Sequence, residues 1–271
     1  MSYYNQSIDQ PLYEDILWNK PETKALAGKL LTIGGNAHSI AAPSQAFSDA
    51  IMYGAGEARV ILPKAAQQYF KQTSVPPEVF FAESTPSGSF SHAALSTMVS
   101  YSQWADYIVI AGDMTKNSET TTVTADLLSQ TQLPITIAGD SIDALQLYAE
   151  TLFSRHKTVC IMNFAQLQKY SVVLGYHSAL TSSLTNNRLV GWLEEFSKTI
   201  YATIVCVHDN AVYVAANGTV ITTRPFNSTP VNTNHLVAAC SVWAMQHPAR
   251  TTEAIATALT QILILYSKTH H

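Results

Sequence analysis

Four consecutive residues, Asn232-Thr233-Asn234-His235, stand directly before an apolar run that reads as a helix. A turn that opens a helix leaves backbone N–H groups unpaired, and with the helix dipole they favour an anion. His235 adds a side chain able to exchange a proton near neutrality. The turn suits anion binding, and His235 suits either a general base beside it or a first-turn helix residue with no reaction. Gly34-Gly35-Asn36 comes after another short apolar run, where backbone can approach a ligand closely. The same residues suit a tight strand-to-helix turn. Asp140 suits either contact with substrate hydroxyls or a helix cap near Ser141. His208 and Asp209 are adjacent in a turn, where neighbours rarely face each other. No set of His, Cys, Asp and Glu has metal-ligand spacing. Ser39 and Ser44 sit in no nucleophile-elbow pattern.

The elements that must position these residues are legible as an alternation. Short apolar runs are predicted as strands at 29–33, 58–62, 79–82, 107–111, 133–138 and 159–162. Helical segments are predicted between and after them at 44–53, 64–72, 92–104, 119–130, 143–153 and from 165. A helix over 187–199 leads to strands at 202–207, 211–215 and 220–223, the last two joined by the hairpin turn Asn217-Gly218. Strand-then-helix repetition with glycine at strand ends predicts a parallel sheet with helices on both faces. Ligands in such sheets sit beyond the carboxyl ends of the strands. The loops to watch are 34–43, 112–118, 139–142, 163–166 and 208–210. A single domain over 1–271 is expected, with residues 1–24 as a surface arm carrying a short helix near Tyr13–Trp18.

Composition narrows the function classes. Hydrophobic residues make up 47% of the chain and charged ones 13%, the latter about half the usual share. A large core is expected, with apolar surface left for a second subunit, so a homo-oligomer is predicted. The net charge is −4 and the 15 Lys and Arg are scattered, which argues against a nucleic-acid partner. No run reaches the roughly 18 apolar residues of a membrane span, and the first residues lack the basic and apolar parts of a signal peptide. Cys160, Cys206 and Cys240 are sparse and form no CxxC pair, which predicts buried thiols in a cytoplasmic protein. The apolar positions Ile255, Leu259, Ile262, Leu263 and Tyr266 form a stripe that suits either the core or a partner.

Four stretches, in order, carry a resemblance. They are LLTIGGNAHSIAAPSQAFSDAIMYGAGEARVILP, DYIVIAGDMTKNSETT, LPITIAGDSIDAL and IVCVHDNAVYVAANGTVITT. Over roughly residues 25–266 the chain resembles the ribokinase-like superfamily, and within it the ADP- or ATP-dependent NAD(P)H-hydrate dehydratases. The family's Gly-Thr-Gly-Asp turn falls on Asn232–His235, where only Thr233 matches. The resemblance therefore implies a catalytic base at His235. It implies nucleotide contacts at Asn232, Thr233, Asn234 and His208, the last standing where the family has the Gly of Leu-Lys-Gly. It implies substrate contacts at Gly34, Gly35, Asn36, Gly112, Asp140 and Gln166. Val207 stands at the family's Lys, Ala138 at its first Asp of Asp-Ala-Asp, and Gln166 at its Glu. Gly112 is the one glycine kept from Gly-Pro-Gly-Leu-Gly. The activity implied by the resemblance is ADP- or ATP-driven dehydration of hydrated NAD(P)H, with Mg2+ arriving only on the nucleotide. The alternative is a catalytically degenerate relative that binds a ligand or a protein. A sugar or vitamin kinase would need the same missing Asp and glycines.

Overall fold

The computed structural model describes residues 2–70, 75–181, 184–224 and 233–269. The chain opens with β1 (Ser2–Ser7), α1 (Glu14–Trp18), β2 (Lys29–Gly34), α2 (Ala41–Met52), β3 (Glu57–Pro63) and β4 (Val79–Ala82). It continues with α3 (Ala94–Ser102), β5 (Tyr107–Gly112), α4 (Ser118–Gln130), β6 (Ile135–Ile137), α5 (Asp140–Ala144) and α6 (Ala149–Ser154). Next come β7 (Thr158–Asn163), α7 (Phe164–Val173), α8 (Asn186–Ser197), β8 (Thr203–His208), β9 (Ala211–Ala216) and β10 (Thr219–Arg224). α9 (Thr233–Gln246) and α10 (Thr251–Thr269) come last.

The ten strands form one sheet in the order β1-β10-β9-β8-β7-β6-β5-β2-β3-β4. Every pairing from β8 across to β4 is parallel, and β9 runs antiparallel to both its neighbours. This is the mainly parallel α/β sheet with a late antiparallel hairpin that the sequence predicts. Strand side chains alternate between two cores, as period-two geometry requires. Ile108, Ile110, Cys160, Met162, Ile204 and Cys206 face α3 to α8. Tyr107, Val109, Val159, Ile161, Val205 and Val214 face α2, α9 and α10. Ile255, Leu259, Ile262 and Leu263 of the α10 stripe are buried in that second core; the side chain of Tyr266 lies outside the described residues.

The order of strands reverses at β2 and β5: β3 and β4 lie to one side of β2, and β5 pairs on the other. A crevice opens where such a reversal occurs, beyond the carboxyl ends of the two strands. Gly34 ends β2 and Gly112 ends β5 there.

Three predicted elements differ. Ser2–Ser7, predicted within a surface arm, is an edge strand paired in parallel with β10 from Ser2–Thr219 to Ser7–Arg224. Its side chains hide it, since Tyr3 and Tyr4 are exposed and the one deeply buried anchor is a glutamine. The Gln6 amide donates to Thr223 Oγ1 (2.8 Å) and to the Ala256 carbonyl (2.6 Å). The helix predicted over 143–153 is broken into α5, a tight 3₁₀ turn at Leu145–Tyr148, and α6. The helix predicted over 64–72 is a 3₁₀ turn over Lys64–Tyr69, and 71–74 lie outside the described residues. One boundary also moves: α2 begins three residues before its predicted start, with Pro43 in its first turn, where a missing N–H costs nothing.

Candidate functional site

The residues at the β2/β5 crevice are joined by a dense set of hydrogen bonds. Gly35 N–H donates to the Gly112 carbonyl (3.0 Å). A Cβ on Gly34 would stand 2.6 Å from that same oxygen. Close backbone approach thus accounts for the glycine at 34. Asn36 is 4% exposed. Its amide donates to the Asp113 carbonyl (2.5 Å), and its oxygen accepts from the N–H groups of His38 (2.6 Å) and Ser39 (3.1 Å).

Two carboxylates already sit on the amides that face the crevice. Asp113 accepts from Ser39 Oγ (2.7 Å) and from Ala42 N–H (2.8 Å) in the first turn of α2. Asp140 accepts from Met114 N–H (3.2 Å) and Thr115 N–H (3.1 Å). Asp113 and Thr115 both have φ of 57°, so the turn after β5 curls its amides inward in the manner of an anion-binding nest. Asp140 does not serve as the cap of α5. It is the first residue of that helix, and its carboxylate reaches across to the β5 turn.

Gln166 caps α7 reciprocally. Its N–H donates to Asn163 Oδ1 (2.9 Å) while its own Oε1 accepts from Asn163 N–H (3.1 Å), an arrangement that satisfies two orphan donors. Its Nε2 donates to the Gly139 carbonyl (2.9 Å) and to Asp143 Oδ2 (2.8 Å), which ties it to the crevice. Lys169 Nζ donates to Asp143 Oδ1 (2.5 Å). Burial raises the Asp143 pKa, but the hydrogen bonds from Lys169 and Gln166 outweigh it and hold the carboxyl below its ordinary range. The loop 83–91 lies over this end of the sheet. The Gly88 carbonyl accepts from Ala37 N–H (2.9 Å), Ser89 Oγ meets Thr115 Oγ1 (2.6 Å), and Asn117 Nδ2 donates to Ser87 Oγ (3.0 Å).

The predicted nucleotide residues divide. Asn232 lies outside the described residues. Thr233, Asn234 and His235 form the first turn of α9 and are half-buried. His208 ends β8, and its ring stacks on Phe164 with centroids 4.2 Å apart. His235 Nδ1 lies 3.9 Å from Asp49 Oδ2 of α2. Asp49 is 5% exposed, and Gln45 Nε2 donates to its other oxygen (2.7 Å). Oδ2 itself has no hydrogen-bond partner among the described residues, so it is a buried acceptor facing an imidazole.

The structure therefore gathers Gly34, Gly35, Asn36, Gly112, Asp140 and Gln166 into one network, and sets His235 against α2. Sequence reasoning missed Ser39, Asp49, Asp113 and Asp143. One signal was present: Asp49 falls three residues after Ala46 and next to Ala50, an acidic group on an otherwise buried helix face. Among the described residues no group of three or more His, Cys, Asp and Glu is placed to hold a metal ion. Among them also, no helix is long and apolar enough to cross a membrane.

Comparison with known proteins gives the fold its name. No family model matches the chain. A 133-residue stretch, 49% of this chain, is 24% identical to the bifunctional NAD(P)H-hydrate repair enzyme Nnr of Moorella thermoacetica. That stretch spans only 25% of the repair enzyme. Among solved structures, the chain is similar to a ribokinase-like superfamily protein from Enterococcus faecalis. The TM-score is 0.73 at 17% identity, covering 100% of this chain and 89% of that one. It is similar to the ADP/ATP-dependent NAD(P)H-hydrate dehydratase from Bacillus subtilis, co-crystallized with ATP/Mg2+ and soaked with CoA, with a TM-score of 0.63 at 12% identity, covering 93% and 87%. It is also similar to a ribokinase from Cryptococcus neoformans in complex with ADP, with a TM-score of 0.53 at 11% identity, covering 87% and 93%. The chain has the ribokinase-like fold.

Proposed function

We propose that this protein binds ADP or ATP at the first turn of α9 and dehydrates hydrated NAD(P)H, with His235 as the base. The observation that carries the reading is the buried Asp49 carboxylate. Its oxygen without a hydrogen-bond partner lies 3.9 Å from His235 Nδ1. The carboxylate faces the Nδ1 edge of the ring at a distance beyond a hydrogen bond, and a small closing of α2 on α9 would let Asp49 orient the imidazole as a base. The pair thereby replaces the single Asp that the resemblance would put at position 235. The nucleotide's part is to supply the phosphoryl group that makes the substrate hydroxyl a leaving group. His235 takes the hydroxyl proton as that oxygen is phosphorylated. The C–O bond then breaks, phosphate departs with its electrons, and loss of a ring proton forms the double bond. Thr233 and the α9 amides would hold nucleotide phosphate, and any Mg2+ would be held through those phosphates. His208, stacked on Phe164, would border the nucleotide, and Asn36, Asp140 and Gln166 the substrate. A cytoplasmic homo-oligomer is part of the same proposal, supported by the low charge of the chain.

A second reading, ligand binding without turnover, is favoured by the Asp140 carboxylate on the Met114 and Thr115 amides. An anionic group of a substrate could reach those amides only by displacing it. The test is an absorbance assay for regenerated NAD(P)H from its hydrate with ADP or ATP. Wild type should turn over, and Asp49→Asn and His235→Ala should each fall by roughly 100-fold. Nucleotide binding without turnover would establish the second reading. Turnover that survives both substitutions would overturn the assignment of the base.

A further inference from the structure

Large apolar side chains stand in solvent where α1 and the segment after it pass the carboxyl ends of α2 and α9. Trp18 is 83% exposed, and Leu26, Ile51 and Met52 are exposed with it. Gln246 Nε2, at the end of α9, donates to the Ala27 carbonyl (3.3 Å) and to the Gly54 carbonyl (2.8 Å). That bond pair holds the segment carrying Leu26 beside the end of α2, which carries Ile51 and Met52. Exposed apolar side chains grouped in this way mark an interaction surface. Ile16 of α1 is buried while Glu14 and Trp18 are exposed, because two steps along a helix turn a side chain to the far face.

The same region holds a recess of about 240 Å³. Ile16, Ala27, Met52, Tyr53 and Trp243 line it, together with Lys20. Small-molecule sites occupy roughly 300–1,000 Å³, so this one is undersized for a ligand and suits a single apolar side chain. One face thus carries both a projecting indole and a recess for one. A surface of that kind pairs with itself about a two-fold axis, each copy giving what the other receives. The charges are arranged to match. Glu14 lies one helical turn from Trp18 on the outward face, and Lys20 borders the recess. Both are exposed, and among the described residues neither is in an ion pair within its own chain. Seating the indole brings Glu14 of each copy to Lys20 of the other.

We propose that this face joins two copies of the chain in an isologous dimer, with Trp18 of each seated in the recess of the other. The proposal rests on the homo-oligomer put forward above and names where it is held. A buried tryptophan ringed by charged residues is the usual anchor of such an interface.

The experiment is sedimentation equilibrium of the full chain, wild type and four variants. Trp18→Ala should weaken dimerisation at least tenfold. Its side chain stands in solvent in the single chain, so the fold should be unchanged. Glu14→Lys and Lys20→Glu should each weaken it by about threefold, and the two together should restore it, since the exchanged charges meet again. A wild type that stays monomeric at about 1 mM would overturn both this surface and the homo-oligomer. A dimer that Trp18→Ala leaves intact, or a double reversal no tighter than its single variants, would overturn this surface alone.

Discussion

Asp140→Ala removes the carboxylate that occupies the turn after β5, and its consequences come from two contacts. Met114 and Thr115 donate to it at 3.2 and 3.1 Å. Hydrogen bonds to a charged group contribute about 1.5–3 kcal/mol each. Asp140 is half-buried and the distances are long, so the lower end applies, and solvent screens part of that. A loss of roughly 2–3 kcal/mol in unfolding free energy is expected by urea titration. The variant also leaves two inward-facing amides without an anion. Inorganic phosphate should then bind the folded variant better than the wild type. With a dissociation constant of about 1 mM and about 10 mM phosphate, linkage returns about 1.4 kcal/mol to the variant. Sulfate should act alike, and chloride at equal ionic strength should not. The reasoning is refuted by a loss under about 0.5 kcal/mol, well below the contribution of even one such bond, or by equal phosphate stabilisation of variant and wild type.

Other outcomes rest on single positions. Gly88 has φ of 85°, and a Cβ there would stand 2.1 Å from the Ala37 side chain. Gly88→Ala should therefore destabilise by on the order of 3 kcal/mol in urea unfolding, from backbone strain and overpacking together. Burial pushes the Cys206 and Cys240 thiols up to about 12 and raises Cys160 further in the same direction. Native protein should thus resist a disulfide thiol reagent at about pH 8 and react at all three cysteines once unfolded. Because these folded pKa values exceed the ordinary 9.0, their contribution to stability is complete below that pH and declines as pH rises toward about 12. Asp143 has the opposite sign. Its folded pKa is below the ordinary 3.8, so its contribution is present above that pH and is lost as pH falls through the folded value. The stability gap between wild type and Asp143→Asn should accordingly close in acid denaturation curves.

The sheet was legible because its strands are short apolar runs ending in glycine, and a buried parallel strand leaves that trace in any sequence. β1 was not, because an edge strand needs backbone pairing more than apolar side chains, and Ser2–Ser7 has one buried glutamine in place of a hydrophobic stripe. Gly34, Asn36, Gly112, Asp140 and Gln166 were legible as a set, since each lies where a strand ends or a helix begins on one edge of the sheet. What each does was less legible. Asp140 and Gln166 satisfy backbone groups of distant segments, and which segments lie near is a property of the sheet order. Asp49 showed only as an acidic group on a buried helix face, and its role was hidden for the same reason. Its partner His235 is far along the chain, and only the packing of α2 against α9 brings the two together.

Calorimetric titration of the wild-type protein with ADP and with ATP, each with and without Mg2+, tests the central claim most directly. Micromolar binding that weakens at least tenfold on Thr233→Val is the predicted result. No saturable heat with either nucleotide under any condition would contradict it, and would leave the ribokinase-like fold here without the nucleotide chemistry proposed for it.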